Sequence, residues 1–194
     1  MKRRPALAIL AEDASDAEVL THVVRRHLND PQIPVKKKGY DGCSALCRKG
    51  ARDIRAWQQR DISRFIICHD ADCATPEPVR VKVQRAVMPT GLTGAACIVI
   101  PVHEIEAWMM ADELAINTVI PSFEFRGHRN PESVPNPKEW LVRESRASNG
   151  KPLYSPATFN PPVARHLRLD VVAAKCASFK YLLDWLDVEF RHRR

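Results

Sequence analysis

The sequence predicts an α/β fold: a mostly parallel, Rossmann-like four-stranded sheet with helices on both faces and a helical C-terminal extension. Three observations predict it. Four short apolar runs are bounded by polar residues, as buried strands are. Segments with helical spacing of apolar residues separate these runs, which favours parallel strands joined by right-handed crossovers. Acidic residues follow three of the four runs, where such sheets bind ligands.

The first strand and helix are predicted within the first thirty residues. Residues 5–11 form a compact apolar run that ends at Glu12. Ser15 is a suitable N-cap, and Glu18 three residues later completes a capping box. Apolar residues at a 3.6-residue period follow, and Pro31 stops the helix.

The second strand is predicted at a sheet edge. Residues 33–38 contain Pro34 and three lysines, which are typical of an edge strand. Ser44 is the expected N-cap of a helix that runs to about Arg60. The exposed positions of that helix are basic, which indicates either a solvated face, the preferred interpretation, or a phosphate-binding face. These positions are Arg48, Lys49, Arg52, Arg55 and Arg60.

The third and fourth strands flank a helix. Residues 65–68 are apolar and lead into Asp70 and Asp72. A helix is predicted from Pro76, in the first-turn position that proline favours, to residues 89–91. The fourth strand is predicted over residues 95–102.

Beyond the fourth strand a helix is predicted through Leu114. Residues 120–162 are rich in proline and basic, and they are predicted to form loops around one short helix at 138–146. Residues 170–175 and 178–190 return to helical spacing. The last segment carries an apolar stripe, so it is expected to dock on the sheet.

Composition bounds the domain count and the class of partner. The length of 194 residues suits one well-buried core, predicted over residues 1–118, with residues 119–194 packing on the same core. The net charge of +7 suggests an acidic partner, with nucleic acid first. No apolar run reaches the length of a membrane span, and no signal-peptide pattern is present, so a cytoplasmic protein without a membrane partner is expected.

The six cysteines allow two interpretations. Cys43 and Cys47 are four residues apart, and Cys68 and Cys73 flank the aspartates. No CxxC pair occurs, so reduced core cysteines are favoured over a zinc site.

Carboxylates follow three predicted strands: Glu12 after the first, Asp70 and Asp72 after the third, and Glu104 and Glu106 after the fourth. Parallel strands would bring all five acids to one edge of the sheet. Clustered carboxylates repel unless a proton or a hard cation lies between them, and oxygen ligands favour Mg²⁺, Mn²⁺ or Ca²⁺. The alternative is an acidic loop after a core strand, with Asp72 or a neighbour capping the next helix.

This order of acids, Glu12, then Asp70-x-Asp72, then Glu104-x-Glu106, resembles the Toprim domain of topoisomerases, primases, recombination proteins and overcoming-lysogenization-defect nucleases. More closely, the chain is similar to small stand-alone Toprim-like proteins of a domain-of-unknown-function family, often encoded beside AAA or ABC-type ATPases. Those proteins share an aromatic residue after the glutamate pair and a similar closing region. The matching positions here are Trp108, residues 151–154, residues 173–179 and Leu183.

The resemblance implies a Toprim-like fold and a set of site residues. Glu12 would be the general acid/base or a metal ligand, and Asp70 and Asp72 would bind Mg²⁺ or Mn²⁺ and serve catalysis. Glu104 and Glu106 would complete one or two metal sites. Lys175 and Ser178 would contact phosphate. One departure is Asp13, which stands where the family has a glycine that permits close backbone approach.

The leading hypothesis is a Mg²⁺-dependent Toprim-like endonuclease that hydrolyses DNA or RNA. By resemblance, its setting would be anti-phage defence with an ATPase partner. The rival is a non-catalytic Toprim module that binds a partner ATPase or nucleic acid. A third hypothesis is nucleotidyl transfer of the primase kind.

Overall fold

The computed structural model describes residues 7–72, 74–88 and 94–190. Four parallel strands form one sheet in the order β2-β1-β3-β4. The predicted α/β class and the edge position of the second strand are thereby confirmed. The strands are β1 (Leu7–Ala11), β2 (Val35–Gly39), β3 (Arg64–Cys68) and β4 (Ala95–Val99).

A helix follows each of the first three strands, and the described residues after β4 form helices, 3₁₀ turns and loops. The crossover helices are α1 (Ala14–His27), α2 (Cys43–Gln58) and α3 (Pro76–Val87). The helices after β4 are α4 (Glu106–Met110), α5 (Glu113–Val119), α6 (Pro137–Glu144), α7 (Pro156–Ala164), α8 (Leu169–Lys175) and α9 (Ala177–Phe190). Short 3₁₀ turns lie at Pro121–Phe123 and Pro131–Ser133. No described helix is both long and apolar enough to cross a bilayer.

The central strands β1 and β3 are buried on both faces of the sheet, as the uninterrupted apolar sequence of β1 requires. Side chains alternate along a strand, so Leu7 and Ile9 enter one hydrophobic cluster, and Ala8 and Leu10 enter the other. The first cluster includes side chains of α1, α4, α5 and α7 to α9, and the second includes side chains of α2 and α3. The helices therefore cover both faces, as predicted.

The N-termini of α1 and α2 differ from the prediction. Asp13 caps α1: its backbone is extended, with φ −138°, and its Oδ1 accepts the N–H of Asp16 over 2.9 Å. Ser15 therefore lies inside the first turn. Gly42 is the N-cap of α2 and has no side chain that could cap the helix, so the predicted capping role of Ser44 is wrong.

The helix predicted through Leu114 is divided in two. The carboxylate of Asp112 accepts the backbone N–H of Leu114 over 3.1 Å and starts α5 after α4 has ended. Asp112 is fully buried and also binds the guanidinium of Arg168 over 2.6 Å. A hydrogen-bonding side chain thus begins the second helix as its N-cap.

Other boundaries also differ from the prediction. β4 ends at Val99, whereas the strand was predicted to reach residue 102. Helix α7 lies in the segment predicted as loops, with Pro161 and Pro162 inside it. Its inner face is buried, and this packing outweighs the lost backbone hydrogen bonds. Residues 5–6 of the first predicted strand and 89–91 of the third predicted helix lie outside the described residues.

Candidate functional site: a carboxylate cluster at the strand ends

The ends of β1 and β3 are joined through Glu12. Glu12 Oε1 accepts the backbone N–H of Asp70 over 2.9 Å and lies 3.1 Å from Nδ1 of His69. The same Nδ1 lies 2.6 Å from the backbone carbonyl oxygen of Asp70. A carbonyl oxygen only accepts hydrogen bonds, so this contact assigns the proton to Nδ1 of His69. Glu12 is therefore held at the carboxyl edge of the sheet by the backbone N–H of Asp70, and the ring of His69 lies beside its carboxylate.

Asp70 places a buried carboxylate oxygen at this edge. Its Oδ1 is buried and has no hydrogen-bond partner within the part of the chain that the structure describes. Burial raises the pKa of Asp70 well above its usual range, and the charges of Asp16, Glu106, Glu12 and Glu104 raise it further. These five acids form what we call the carboxylate cluster. A buried carboxyl group surrounded by acids is neutral unless a cation compensates it.

Asp16 is a member of the carboxylate cluster that sequence reasoning missed. It lies in the first turn of α1, four residues after Glu12, and only 6% of it is exposed. Burial raises the pKa of Asp16 to about 8, with contributions from Asp13, Glu106 and Glu12. The signal that could have found it is position, because the first turn of a helix after a parallel strand lies at the ligand-binding edge.

Glu106 begins α4 and connects the carboxylate cluster to the C-terminal helices. Its Oε1 accepts a hydrogen bond from Nδ2 of Asn160 in α7 over 2.9 Å, and the hydroxyl of Tyr154 donates to Oδ1 of Asn160. All three residues are buried. Burial raises the pKa of Glu106 to about 7, against the lowering effect of the Asn160 hydrogen bond. Asn160 and Tyr154 were not predicted as site residues.

Glu104 and Asp72 lie at the outer side of the cluster. Glu104 Oε2 accepts the backbone N–H of Lys138 at the start of α6 over 2.9 Å. Asp72 is exposed, and its backbone lies in the left-handed region with φ 48°. The negative charge of Asp72 raises the pKa of Glu12 and of Glu104. The residue that precedes α3 is Thr75, so Asp72 is not the N-cap of that helix.

Lys175 and Ser178, predicted as phosphate contacts, make contacts within the protein. The ammonium of Lys175 donates to the carbonyl oxygen of Ala111 over 2.7 Å. The buried hydroxyl of Ser178 donates to Glu132 Oε1 over 2.6 Å and accepts from the indole N–H of Trp108 over 2.9 Å. These bonds anchor α8 and α9 to the rest of the fold. The role of both residues in phosphate binding stays a prediction.

The aspartate at position 13 imposes no backbone strain on the turn after β1. Its extended conformation is open to any residue. The close backbone approach in this turn is permitted by Gly39, the last residue of β2: a Cβ there would lie 2.2 Å from the backbone nitrogen of Ala14. The glycine that the fold needs here is thus on the neighbouring strand.

The carboxylate cluster suits a hard cation in its chemistry. Carboxylate oxygens are the ligands that Mg²⁺ and Mn²⁺ prefer, and Asp70 Oδ1 has no hydrogen-bond partner in residues 7–72, 74–88 and 94–190. Among the described residues, no three His, Cys, Asp or Glu side chains are arranged to hold a metal ion. The cluster therefore offers suitable donors without a closed ligand set. All cysteines in the described ranges are free, and Cys73 lies outside them.

Comparison with known proteins places the chain in a family. No curated protein matches the chain, and no solved structure matches it. A family model, described as a domain of unknown function (DUF4276), matches residues 11–187. The matched segment runs from the last residue of β1 into α9 and contains every member of the carboxylate cluster. The chain therefore belongs to the DUF4276 family.

Proposed function

We propose that the carboxylate cluster is the active site of a Toprim-like nuclease that uses Mg²⁺ or Mn²⁺ to hydrolyse phosphodiester bonds in DNA or RNA. The observation that carries this proposal is the buried Oδ1 of Asp70, which has no hydrogen-bond partner among the described residues and is surrounded by acids. A carboxylate kept only for stability is normally paired with a cationic side chain or with N–H donors. A hard cation would supply the missing charge.

The raised pKa values support a site rather than a structural network. Burial raises the pKa of Asp16, of Asp70 and of Glu106, and each of these pKa values is raised further by at least one of its acidic neighbours. Groups whose titration is shifted by burial and by like charges are concentrated at functional sites. Stability alone does not favour such a cluster, because isosteric amides would avoid the repulsion.

In this proposal, Glu12 is the general base. Its carboxylate is oriented by the N–H of Asp70 and lies beside His69. Burial raises the pKa of Glu12 above its usual range, which makes its carboxylate a stronger base. Asp70 and Asp72, with Glu104 and Glu106, would hold the cation. The cation, when bound, polarises phosphoryl oxygens and lowers the pKa of coordinated water.

The substrate class and the setting rest on charge and resemblance. The net charge of +7 favours a polyanionic substrate. The order of acids at three strand ends resembles Toprim nucleases, and the resemblance extends to an AAA or ABC-type ATPase partner and a role in anti-phage defence.

The direct test measures cleavage of single-stranded DNA, double-stranded DNA and RNA with Mg²⁺ or Mn²⁺. Asp70→Asn keeps the size of the side chain, and we expect it to reduce cleavage at least about a hundredfold, because the proposed cation loses a ligand. Asp184→Asn is the matched control, since Asp184 is exposed and, among the described residues, forms an ion pair with Lys180 on its own helix. Equal cleavage by Asp70→Asn and wild type, or no cleavage of any substrate, would reject the nuclease proposal.

One observation favours the rival, a non-catalytic module that binds nucleic acid or an ATPase. Among the described residues, no three acids are arranged so that they could hold a metal ion together. Under the rival, Asp70→Asn would raise thermal stability by removing repulsion, nucleic acid would be bound but not cleaved, and Mn²⁺ would leave the melting temperature of the wild type unchanged. Under the nuclease proposal, Mn²⁺ raises the melting temperature of the wild type through binding to the folded state.

A further inference from the structure

A lysine lies at the rim of the carboxylate cluster. Lys138 is the second residue of α6, directly after Pro137, and its backbone N–H donates to Glu104 Oε2 over 2.9 Å. Helix α6 packs against α4, the helix that begins with Glu106. The position of Lys138 is therefore fixed by a contact to one acid of the cluster and by packing against the helix of another.

The ammonium of Lys138 combines solvent exposure with proximity to the acids. The residue is exposed, and its positive charge lowers the pKa of Asp16, of Glu104 and of Glu106. These three acids lie on different elements, so the charge of Lys138 acts across the cluster rather than on one partner. Lysine has three donors on a flexible stem, which suits an approach to a mobile anion.

We propose that the ammonium of Lys138 binds a phosphate group of the nucleic-acid substrate at the rim of the carboxylate cluster. This inference rests on the proposed function and names the residue that receives the anion. A phosphodiester that approaches five carboxyl groups is repelled unless a positive charge lies at the entrance. Lys138 supplies that charge, whereas the ammonium of Lys175 is already bonded to Ala111 and the hydroxyl of Ser178 is buried.

The Lys138 side chain can be changed without loss of the hydrogen bond between Glu104 and the start of α6, because that bond uses the backbone N–H of Lys138. We would compare wild type with Lys138→Gln, which removes the charge, and Lys138→Arg, which keeps it. Lys180→Gln is the matched control: it removes one positive charge from an exposed lysine that pairs with Asp184 on α9. Thermal unfolding of each variant checks that the fold is intact.

The measurement is the affinity for a short fluorescein-labelled single-stranded DNA and for an RNA of the same sequence, by fluorescence anisotropy in Ca²⁺ over a range of salt concentrations. We expect Lys138→Gln to bind both probes about tenfold more weakly and to reduce the slope of log affinity against log salt by about 0.7, the value for one lost phosphate contact on a single strand. Lys138→Arg and Lys180→Gln should bind as the wild type does.

The outcomes separate this inference from the proposed function. If Lys138→Gln and Lys180→Gln bind equally well and with equal salt slopes, or if the wild type binds neither probe, the assignment of Lys138 is wrong. Cleavage by the wild type and its loss in Asp70→Asn are measured separately, so the nuclease can stand when the Lys138 assignment fails. Conversely, weaker binding by Lys138→Gln supports the phosphate contact even if no cleavage is observed.

Discussion

The backbone N–H of Asp70 donates a hydrogen bond to the side chain of Glu12 over 2.9 Å, so the acid after β1 is fixed by the acid after β3. The two strands are neighbours in the sheet, and their residues pair in register from Leu7 and Arg64 onward. This bond continues the contact between the strands beyond their last paired residues. It makes the orientation of the Glu12 carboxylate depend on the sheet itself, rather than on a mobile loop.

The first prediction separates the acceptor role of Glu12 from its charge. Glu12→Gln keeps an oxygen that can accept the N–H of Asp70, whereas Glu12→Ala leaves that N–H without its acceptor. We expect Glu12→Ala to be less stable than Glu12→Gln by about 1–2 kcal/mol in urea unfolding, because an unmade hydrogen bond is costly at a partly buried site. Both variants should lose nuclease activity under the proposed mechanism.

The control for Glu12 is the same pair of substitutions at Glu144, an exposed residue that pairs with Arg143 beside it. Glu144→Ala and Glu144→Gln should unfold at nearly the same urea concentration, since a surface ion pair contributes little. If the Ala and Gln variants at position 12 are also equally stable, the Glu12–Asp70 hydrogen bond does not contribute to the fold.

The second prediction concerns the pH dependence of stability through Asp16. Burial raises the pKa of Asp16 to about 8, far above the value of 3.8 that an exposed aspartate has. Between about pH 4 and pH 8 the folded state holds a proton that the unfolded state has released. The contribution of Asp16 to the free energy of unfolding is therefore fully present below about pH 4 and is lost as the pH rises through about 8.

Asp16→Asn removes this titration and keeps the shape of the side chain. We expect the variant to be more stable than wild type at about pH 8 by at least about 1 kcal/mol and to have a smaller pH dependence, measured by urea unfolding in EDTA. Some dependence should persist, because burial also raises the pKa of Asp70 and of Glu106. Identical pH profiles for Asp16→Asn and wild type would show that Asp16 does not carry this proton.

The sequence predicts the fold well because the strands are short, uninterrupted apolar runs and the crossover helices have clear periodicity. It also predicts that the acids after β1, β3 and β4 share an edge, and the charge coupling among Glu12, Asp70 and Glu104 agrees with that geometry. Asp16 was missed because an aspartate in the first turn of a helix is indistinguishable from a simple dipole or capping residue. Asn160 was missed because two prolines follow it, and proline disfavours a helix interior. The sequence therefore did not indicate that tertiary packing keeps this segment helical.

The third prediction tests whether Ser178 is structural. Ser178→Ala leaves the buried indole N–H of Trp108 without its acceptor and removes a donor to Glu132. We expect a loss of about 1–3 kcal/mol in urea unfolding, with nucleic-acid affinity unchanged under conditions where the variant is folded. Ser44→Ala, at an exposed position that caps no helix, should leave stability within about 0.5 kcal/mol of wild type. Weaker nucleic-acid binding by folded Ser178→Ala would instead support the predicted phosphate contact.

The fourth prediction concerns the buried chain of hydrogen bonds from Tyr154 through Asn160 to Glu106. Asn160→Ala leaves both outer groups without their partner, so we expect a loss of about 2–4 kcal/mol. Asn149→Ala, which removes an exposed hydrogen bond from the backbone N–H of Lys151, is the control and should have almost no effect. The same substitution at position 160 should also raise the pKa of Glu106 above its value of about 7, because the hydrogen bond that favours the ionised form is lost.

The two effects of Asn160→Ala are measured by different methods, which separates packing from electrostatics. Urea unfolding reports the stability, and ¹³C NMR titration of the glutamate carboxyl groups reports the proton affinity of Glu106. A variant that is destabilised with the Glu106 titration unchanged would show that Asn160 only fills and satisfies the core. A raised pKa of Glu106 would show that Asn160, which lies outside the sheet and bonds directly to both Tyr154 and Glu106, adjusts the charge available in the carboxylate cluster at neutral pH.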